Sequence, residues 1–153
     1  MVWTSAKLSN AVPLVEAVFG DMQDQLVGVW GRETIIDPNH NDFTRNVQVF
    51  KDLRVIWEDD DINDICAPMC GPQGLNHTNT ILIDDTPEKA ESQPFNLVSI
   101  PEFGGQLPEP YRGRNVLEQV TGYLEELKRQ KDVTRFIHKY PFQANGNWSY
   151  DLS

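Results

Sequence analysis

Met1-Val2-Trp3 is apolar and β-prone and runs straight into Thr4-Ser5-Ala6, which reads as the end of a buried strand and not as a frayed terminus. A helix is expected next. Ser9 or Asn10 can cap it, and Pro13 falls in a first turn whose N–H groups lack intrahelical partners anyway. Val12, Val15, Phe19, Met22 and Leu26 recur at spacings of 3, 4, 3 and 4 and so share a helical face, with Gly20 a point at which the helix can break. Residues 26–33 form a short strand candidate, and residues 34–46, rich in Asp, Asn, Pro and His, read as a loop. Residues 47–57 read as a strand end followed by a helical turn after Lys51. Residues 58–78 open with an acidic run, Glu58, Asp59, Asp60 and Asp61. They continue through Pro68, Gly71, Pro72 and Gly74, which marks a surface insertion.

Thr80-Ile81-Leu82-Ile83 is a continuous apolar run entering Asp84-Asp85, the pattern of a strand buried on both faces in a parallel sheet. Thr86 can cap a short helix with Pro87 at its first position. Residues 96–100 form the next strand, and 104–114 a Gly/Pro loop. The clearest helix covers 115–131, where Leu117, Val120, Leu124 and Leu127 share a face and Glu125 can pair with Arg129. A last short helix over 133–142 stops near Pro141. Strands alternating with helices give an α/β fold with a parallel sheet.

Composition narrows the function. The 153 residues fit one domain with a core of its own. The 13 basic and 23 acidic residues leave a net charge of −10, which argues against nucleic-acid binding. No apolar run approaches the roughly 18 residues of a membrane span, so direct membrane insertion is not expected, and no signal or transit peptide is visible. Two cysteines make no disulfide framework, which points to a reducing compartment.

Ligands of an open parallel sheet sit beyond the carboxyl ends of its strands. Three polar clusters follow apolar strand candidates: Thr4-Ser5, Lys51-Asp52 and Asp84-Asp85. A hydroxyl, an ammonium and paired carboxylates suit a phosphoryl group and Mg²⁺. Taken singly, each has a plainer use, as a strand end, a solvated charge or a helix cap. Their shared placement favours the chemistry. Cys66, Cys70 and His77 are too few for a structural zinc site and read as loop thiols and a loop histidine. His40 and His138 read as surface or helix-end residues, and Trp30, Trp57 and Trp148 as core. The glycosylation patterns at Asn76 and Asn147 read as chance.

These residues also carry a resemblance. Val2-Trp3-Thr4-Ser5-Ala6 resembles the second motif of the haloacid dehalogenase-like phosphatases of the FCP1-homology, or NLI-interacting-factor-like, group. Arg32-Glu33 followed by Val49-Phe50-Lys51-Asp52-Leu53 resembles the stretch holding its third-motif lysine. Residues 81–90, with Asp84-Asp85-Thr86-Pro87, resemble the fourth motif, residues 96–103 the Asn and Ile-Pro continuation, and residues 117–142 the closing helices. The resemblance implies a Rossmann-like sheet with flanking helices over residues 1–142, leaving 143–153 as a tail. It implies Mg²⁺-dependent, two-step hydrolysis of phosphoserine or phosphothreonine in a phosphoprotein or peptide through an aspartyl-phosphate. Thr4, Lys51 and Arg32 would hold the phosphate, with Thr4 and Lys51 catalytic. Asp85 would reach the metal, and Asp84 would hold Lys51 or share the metal.

One departure is large. The group's first motif, Asp-x-Asp-x-Thr/Val, supplies the nucleophile and the general acid and should precede Val2. The Asp-x-Asp of Asp59 and Asp61 follows the second motif and has Asn63 where Thr or Val belongs, so it reads as an acidic surface run. The expectation is an N-terminally truncated domain with Met1 an internal methionine, inactive as it stands and with weak or no Mg²⁺ binding. The alternative is a non-catalytic, peptide-binding pseudophosphatase, similar to the presequence receptor of the mitochondrial inner-membrane translocase. A small-molecule phosphatase of the same superfamily fits less well. A nuclear or cytoplasmic location is expected for the first reading and the mitochondrial inner membrane for the second.

Overall fold

The computed structural model describes residues 1–35, 50–106 and 115–144. The loop and strand expected over 36–49, most of the 104–114 loop, His40, Trp148, the Asn147 sequon and residues 145–153 lie outside the described residues. The chain divides into two compact units, Met1–Gly74 and Leu75–Ser153.

In the first unit, β1 (Val2–Trp3) and β2 (Val29–Trp30) pair in parallel, with Val2 opposite Val29 and Trp3 opposite Trp30. Helix α1 (Leu8–Phe19) connects them, as a parallel pair requires. It begins earlier than its local sequence suggests. The residue before it, Lys7, provides no side-chain cap. The Glu33 carboxylate, 25 residues on, accepts the Leu8 N–H instead, at 3.1 and 3.2 Å. The earlier start moves Pro13 into the helix interior and puts Ala11 and Val15 on the buried face, while Val12 is exposed. Gly20, at φ +50°, ends the helix, and a 3-10 segment over Gly20–Gln25 leaves Met22 exposed.

A short helix α2 (Arg54–Trp57) follows Lys51, and α3 (Asp60–Cys70) occupies the segment expected to be an irregular insertion. The acidic run is its start signal. The Asp59 carboxylate accepts the Ile62 N–H at 2.8 Å, and Asp60 and Asp61 sit in the first turn, where the helix dipole favours negative charge. Ile62 and Cys66 are buried along it, as are Trp3, Leu53 and Ile56 elsewhere in this unit.

In the second unit, β3 (Leu82–Asp84) and β4 (Leu97–Ser99) pair in parallel, with Leu82 opposite Leu97 and Asp84 opposite Ser99. The expected double-sided burial of β3 does not hold. Leu82 and Asp84 are buried, whereas Ile83 is 42% exposed. Helix α4 (Val116–Leu127) is capped by Asn115, whose side chain accepts the Glu118 N–H. Its buried face is Val116, Gln119, Val120, Tyr123 and Leu127. Leu117, expected on that face, is 71% exposed. The charge pairs form one position off the expected i,i+4 pair, as Glu126–Arg129 at 2.9 Å and Glu125–Lys128 at 3.6 Å. Helix α5 (Val133–Lys139), capped by Asp132, adds Val133, Phe136 and Ile137 to a core that includes Val98 and Phe142. Tyr123 is its centre, with ring centroids 5.4 Å from Phe142 and 5.9 Å from Phe136, and its hydroxyl donates to the Tyr140 carbonyl at 2.8 Å. The architecture is α/β with small parallel sheets.

Candidate functional site

In the first unit, Thr4 follows the last residue of β1, and its N–H donates to the Trp30 carbonyl at 2.9 Å, extending the ladder by one bond. The Thr4 hydroxyl accepts the Ala6 N–H at 3.1 Å, which turns the chain sharply off the strand end. Arg32, which opens a 3-10 turn just after β2, reaches this bend. Its Nε donates to the Ser5 carbonyl at 2.8 Å and its N–H to the Ala6 carbonyl at 2.7 Å. Ser5 and Arg32, 27 residues apart, thus meet beyond the carboxyl ends of a parallel pair, with Thr4 next to Ser5 in the chain. Gly31 permits the approach. A Cβ there would lie 2.5 Å from the Leu8 nitrogen and 2.8 Å from its Cα.

Lys51 lies just ahead of α2 and is only 6% exposed. A buried ammonium is costly unless it is partnered, and Lys51 is engaged in an interaction. Asp52 beside it is committed to Arg54, which chelates both of its carboxylate oxygens. That carboxylate holds the exposed Arg54 guanidinium above its ordinary pKa, through hydrogen bonds first and charge second. Asp52 also accepts the Arg54 N–H at 3.0 Å, which starts α2. This Asp-x-Arg clamp was not singled out from the sequence, although its spacing could have signalled it.

In the second unit, β3 delivers Asp84 at its last residue and Asp85 one step beyond. The Asp84 carboxylate is buried and its Oδ1 accepts bonds from the Thr86 N–H at 3.0 Å and from Lys89 Nζ at 3.0 Å. Asp85 Oδ1 accepts the Thr86 hydroxyl at 2.9 Å and lies 3.7 Å from the same Lys89 Nζ. Thr86 therefore spends its hydroxyl on Asp85 and gives no side-chain cap to the Pro87–Ala90 3-10 turn that follows. Lys89 is a site residue that sequence reasoning missed, although its position four residues after Asp85 was the available signal.

The two carboxylates supply hard oxygen donors of the kind Mg²⁺ takes, and that ion is commonly held by one or two carboxylates with water and substrate phosphate. The Lys89 ammonium already seats a positive charge within reach of both, so their donor chemistry fits a cation. No group of three or more His, Cys, Asp or Glu side chains suited to a metal occurs among the described residues. Cys66 and Cys70 are free thiols one turn apart on α3, and burial, with Cys66 alongside, pushes the Cys70 thiol up. The His77 carbonyl accepts bonds from Asn96 and Thr134, and its ring Nδ1 is 3.5 Å from the Thr134 hydroxyl.

Comparison with known proteins places these clusters in context. An FCP1 homology domain-containing protein of Schizosaccharomyces pombe is 28% identical over 144 residues, covering 94% of this chain and 57% of its own length. The chain thus spans little more than half of that relative. No solved structure matches. The sequence profile of the NLI interacting factor-like phosphatases matches residues 1–134, a stretch that includes Thr4, Arg32, Lys51, Asp84 and Asp85. That match covers most of the chain, which therefore belongs to the NLI interacting factor-like phosphatase family.

Proposed function

We propose that this chain carries the fold and phosphate-binding groups of a Mg²⁺-dependent protein serine/threonine phosphatase, with a Rossmann-like sheet of the haloacid dehalogenase type. The observation that carries the reading is the placement of Asp84 and Asp85 at the end of a parallel strand, inside a stretch that matches the phosphatase family. In this reading Thr4 donates its hydroxyl to a phosphoryl oxygen and Lys51 offsets phosphoryl charge, while Arg32 holds the substrate phosphate. Asp85 and Asp84 are the carboxylates that would hold Mg²⁺. Bound there, the ion would polarise a phosphoryl oxygen and neutralise charge as the transferred group passes through its transition state. The substrate is a phosphoserine or phosphothreonine side chain of a protein or peptide, and the phosphoryl group passes first to a carboxylate and then to water.

The 153 residues contain one Asp-x-Asp, Asp59 to Asp61, and Asp59 is spent as the cap of α3. Binding groups without a nucleophile preserve affinity and lose most of the rate. The test is hydrolysis of a phosphoserine peptide in Mg²⁺ by this 153-residue polypeptide. No turnover is expected. Turnover that survives in Asp85→Ala would remove the metal role assigned to Asp85. Turnover that Asp85→Ala abolishes would mean that the polypeptide carries a nucleophile of its own.

A further inference from the structure

Lys89 is not among the groups to which a phosphatase reading assigns a task, yet it is a cation in contact with both Asp84 and Asp85. Its Nζ lies 3.0 Å from Asp84 Oδ1 and 3.7 Å from Asp85 Oδ1. The side chain is 20% exposed and that of Asp84 is 5% exposed, so the contact is only partly screened by water. The attachment point is fixed. Pro87 sets the backbone at the start of the turn, the Lys89 N–H donates to the Thr86 carbonyl at 3.0 Å, and the next residue, Ala90, is buried. The tip is not fixed in the same way, because a lysine carries its charge on four flexible methylenes.

We propose that Lys89 is a tethered counter-cation of the Asp84/Asp85 pair, which a divalent ion must displace, and that it thereby sets how tightly the pair takes Mg²⁺. The inference rests on the metal reading of these two carboxylates. An ammonium and a divalent ion compete for the same lone pairs, and two cations a few ångströms apart repel each other. Because the ammonium is attached to the adjacent turn, its local concentration is high and does not depend on the medium. Mg²⁺ binding therefore requires that Lys89 swing out of contact with Asp84 Oδ1. The same displacement frees a positive charge beside the ion, where a phosphate can meet it.

The test is a calorimetric titration of the whole 153-residue chain with Mg²⁺, run beside the Mg²⁺-dependent shift of its thermal midpoint, which reports binding by linkage. Lys89→Met is expected to bind Mg²⁺ about fivefold more tightly than the wild type, the scale of one partly buried ion pair. Lys89→Arg, which keeps the charge, is expected to stay near the wild type, and Asp85→Asn to weaken binding in either background. Should Lys89→Met fail to fold, Lys89→Gln, uncharged but still a donor, carries the same expectation. Equal or weaker binding by the uncharged variants, with Asp85→Asn still damaging, would overturn the role of Lys89 and leave the metal reading standing. Wild-type binding is expected to be weak, so the titration is carried to high Mg²⁺ concentration, and no response there in wild type and Lys89→Met alike would overturn both.

Discussion

Gly31 and the two tryptophans near it show how single positions constrain the first unit. Gly31 is buried where Leu8 and Glu33 close on it, and a methyl group would stand 2.5 Å from both the Leu8 nitrogen and Glu33 Oε2. Gly31→Ala must push back the carboxylate that caps α1 and the backbone it caps. A loss of about 1–3 kcal/mol is expected in urea unfolding, and an unchanged midpoint would contradict the capping role of Glu33. Trp3 donates to the Thr34 hydroxyl at 2.9 Å and packs edge-on to Trp30 with centroids 5.5 Å apart. Trp57 instead buries an indole N–H with no partner among the described residues. Trp3→Phe should therefore cost about 1 kcal/mol more than Trp57→Phe, since only the first breaks a bond and strands its acceptor. The local pattern could place all three residues near the core. It could not tell which nitrogen finds a partner, because the Thr34 hydroxyl reaches Trp3 from 31 residues away.

At the scale of elements, the amide of Asn96 ties the loop before β3 to α5. Its nitrogen donates to the His77 and Thr80 carbonyls, both at 2.7 Å, and its oxygen accepts the Thr134 hydroxyl at 3.2 Å. Asn96→Leu leaves those carbonyls without this donor in a buried site and is expected to cost about 2–4 kcal/mol in chemical denaturation. A loss under about 1 kcal/mol would mean that the loop is held by other bonds. Cys70, at the end of α3, gives a pH readout. The thiolate is the reactive form, and burial and Cys66 both oppose it. Iodoacetamide at pH 7 should modify Cys70 more slowly than an ordinary thiol, with the rate climbing at higher pH. A faster rate than an ordinary thiol's would contradict this. The raised pKa favours the folded state below the unfolded thiol's pKa, and that contribution fades as pH rises through the folded value.

The described strands and the helices other than α3 were legible because apolar runs and turn residues alternate. The faces of α1 and α4 were less so. The distant Glu33 cap shifts the start of α1, and on α4 the buried residues are Val116, Gln119, Val120, Tyr123 and Leu127, with Leu117 exposed. The acidic run before α3 looks like a solvated surface stretch when taken alone, but its position ahead of Ile62 and Cys66 makes it a helix start.

For the molecule as a whole, a net charge of −10 makes local cations matter for any anionic ligand. Three of them occupy distinct environments: Lys51 is buried, Arg32 is bonded to the backbone at the end of β1, and Lys89 is held by two aspartates. The candidate positions Thr4, Lys51, Asp84 and Asp85 could be picked out from polar residues that follow apolar runs, whereas Arg32 comes only from the family resemblance. The partners of Arg32 and Asp84 could not, since they depend on turns whose geometry appears only once the chain is folded. The central claim, that this domain is built to hold a phosphorylated side chain, is tested most directly by peptide-binding anisotropy. A fluorescent phosphoserine peptide and its unphosphorylated counterpart are titrated against the wild type, Lys51→Met and Thr4→Ala, each first shown to be folded by thermal unfolding. The account predicts that the wild type prefers the phosphorylated peptide by about tenfold or more, and that Lys51→Met loses most of that preference. Equal binding of the two peptides by the wild type, or a preference that survives in both variants, would contradict it.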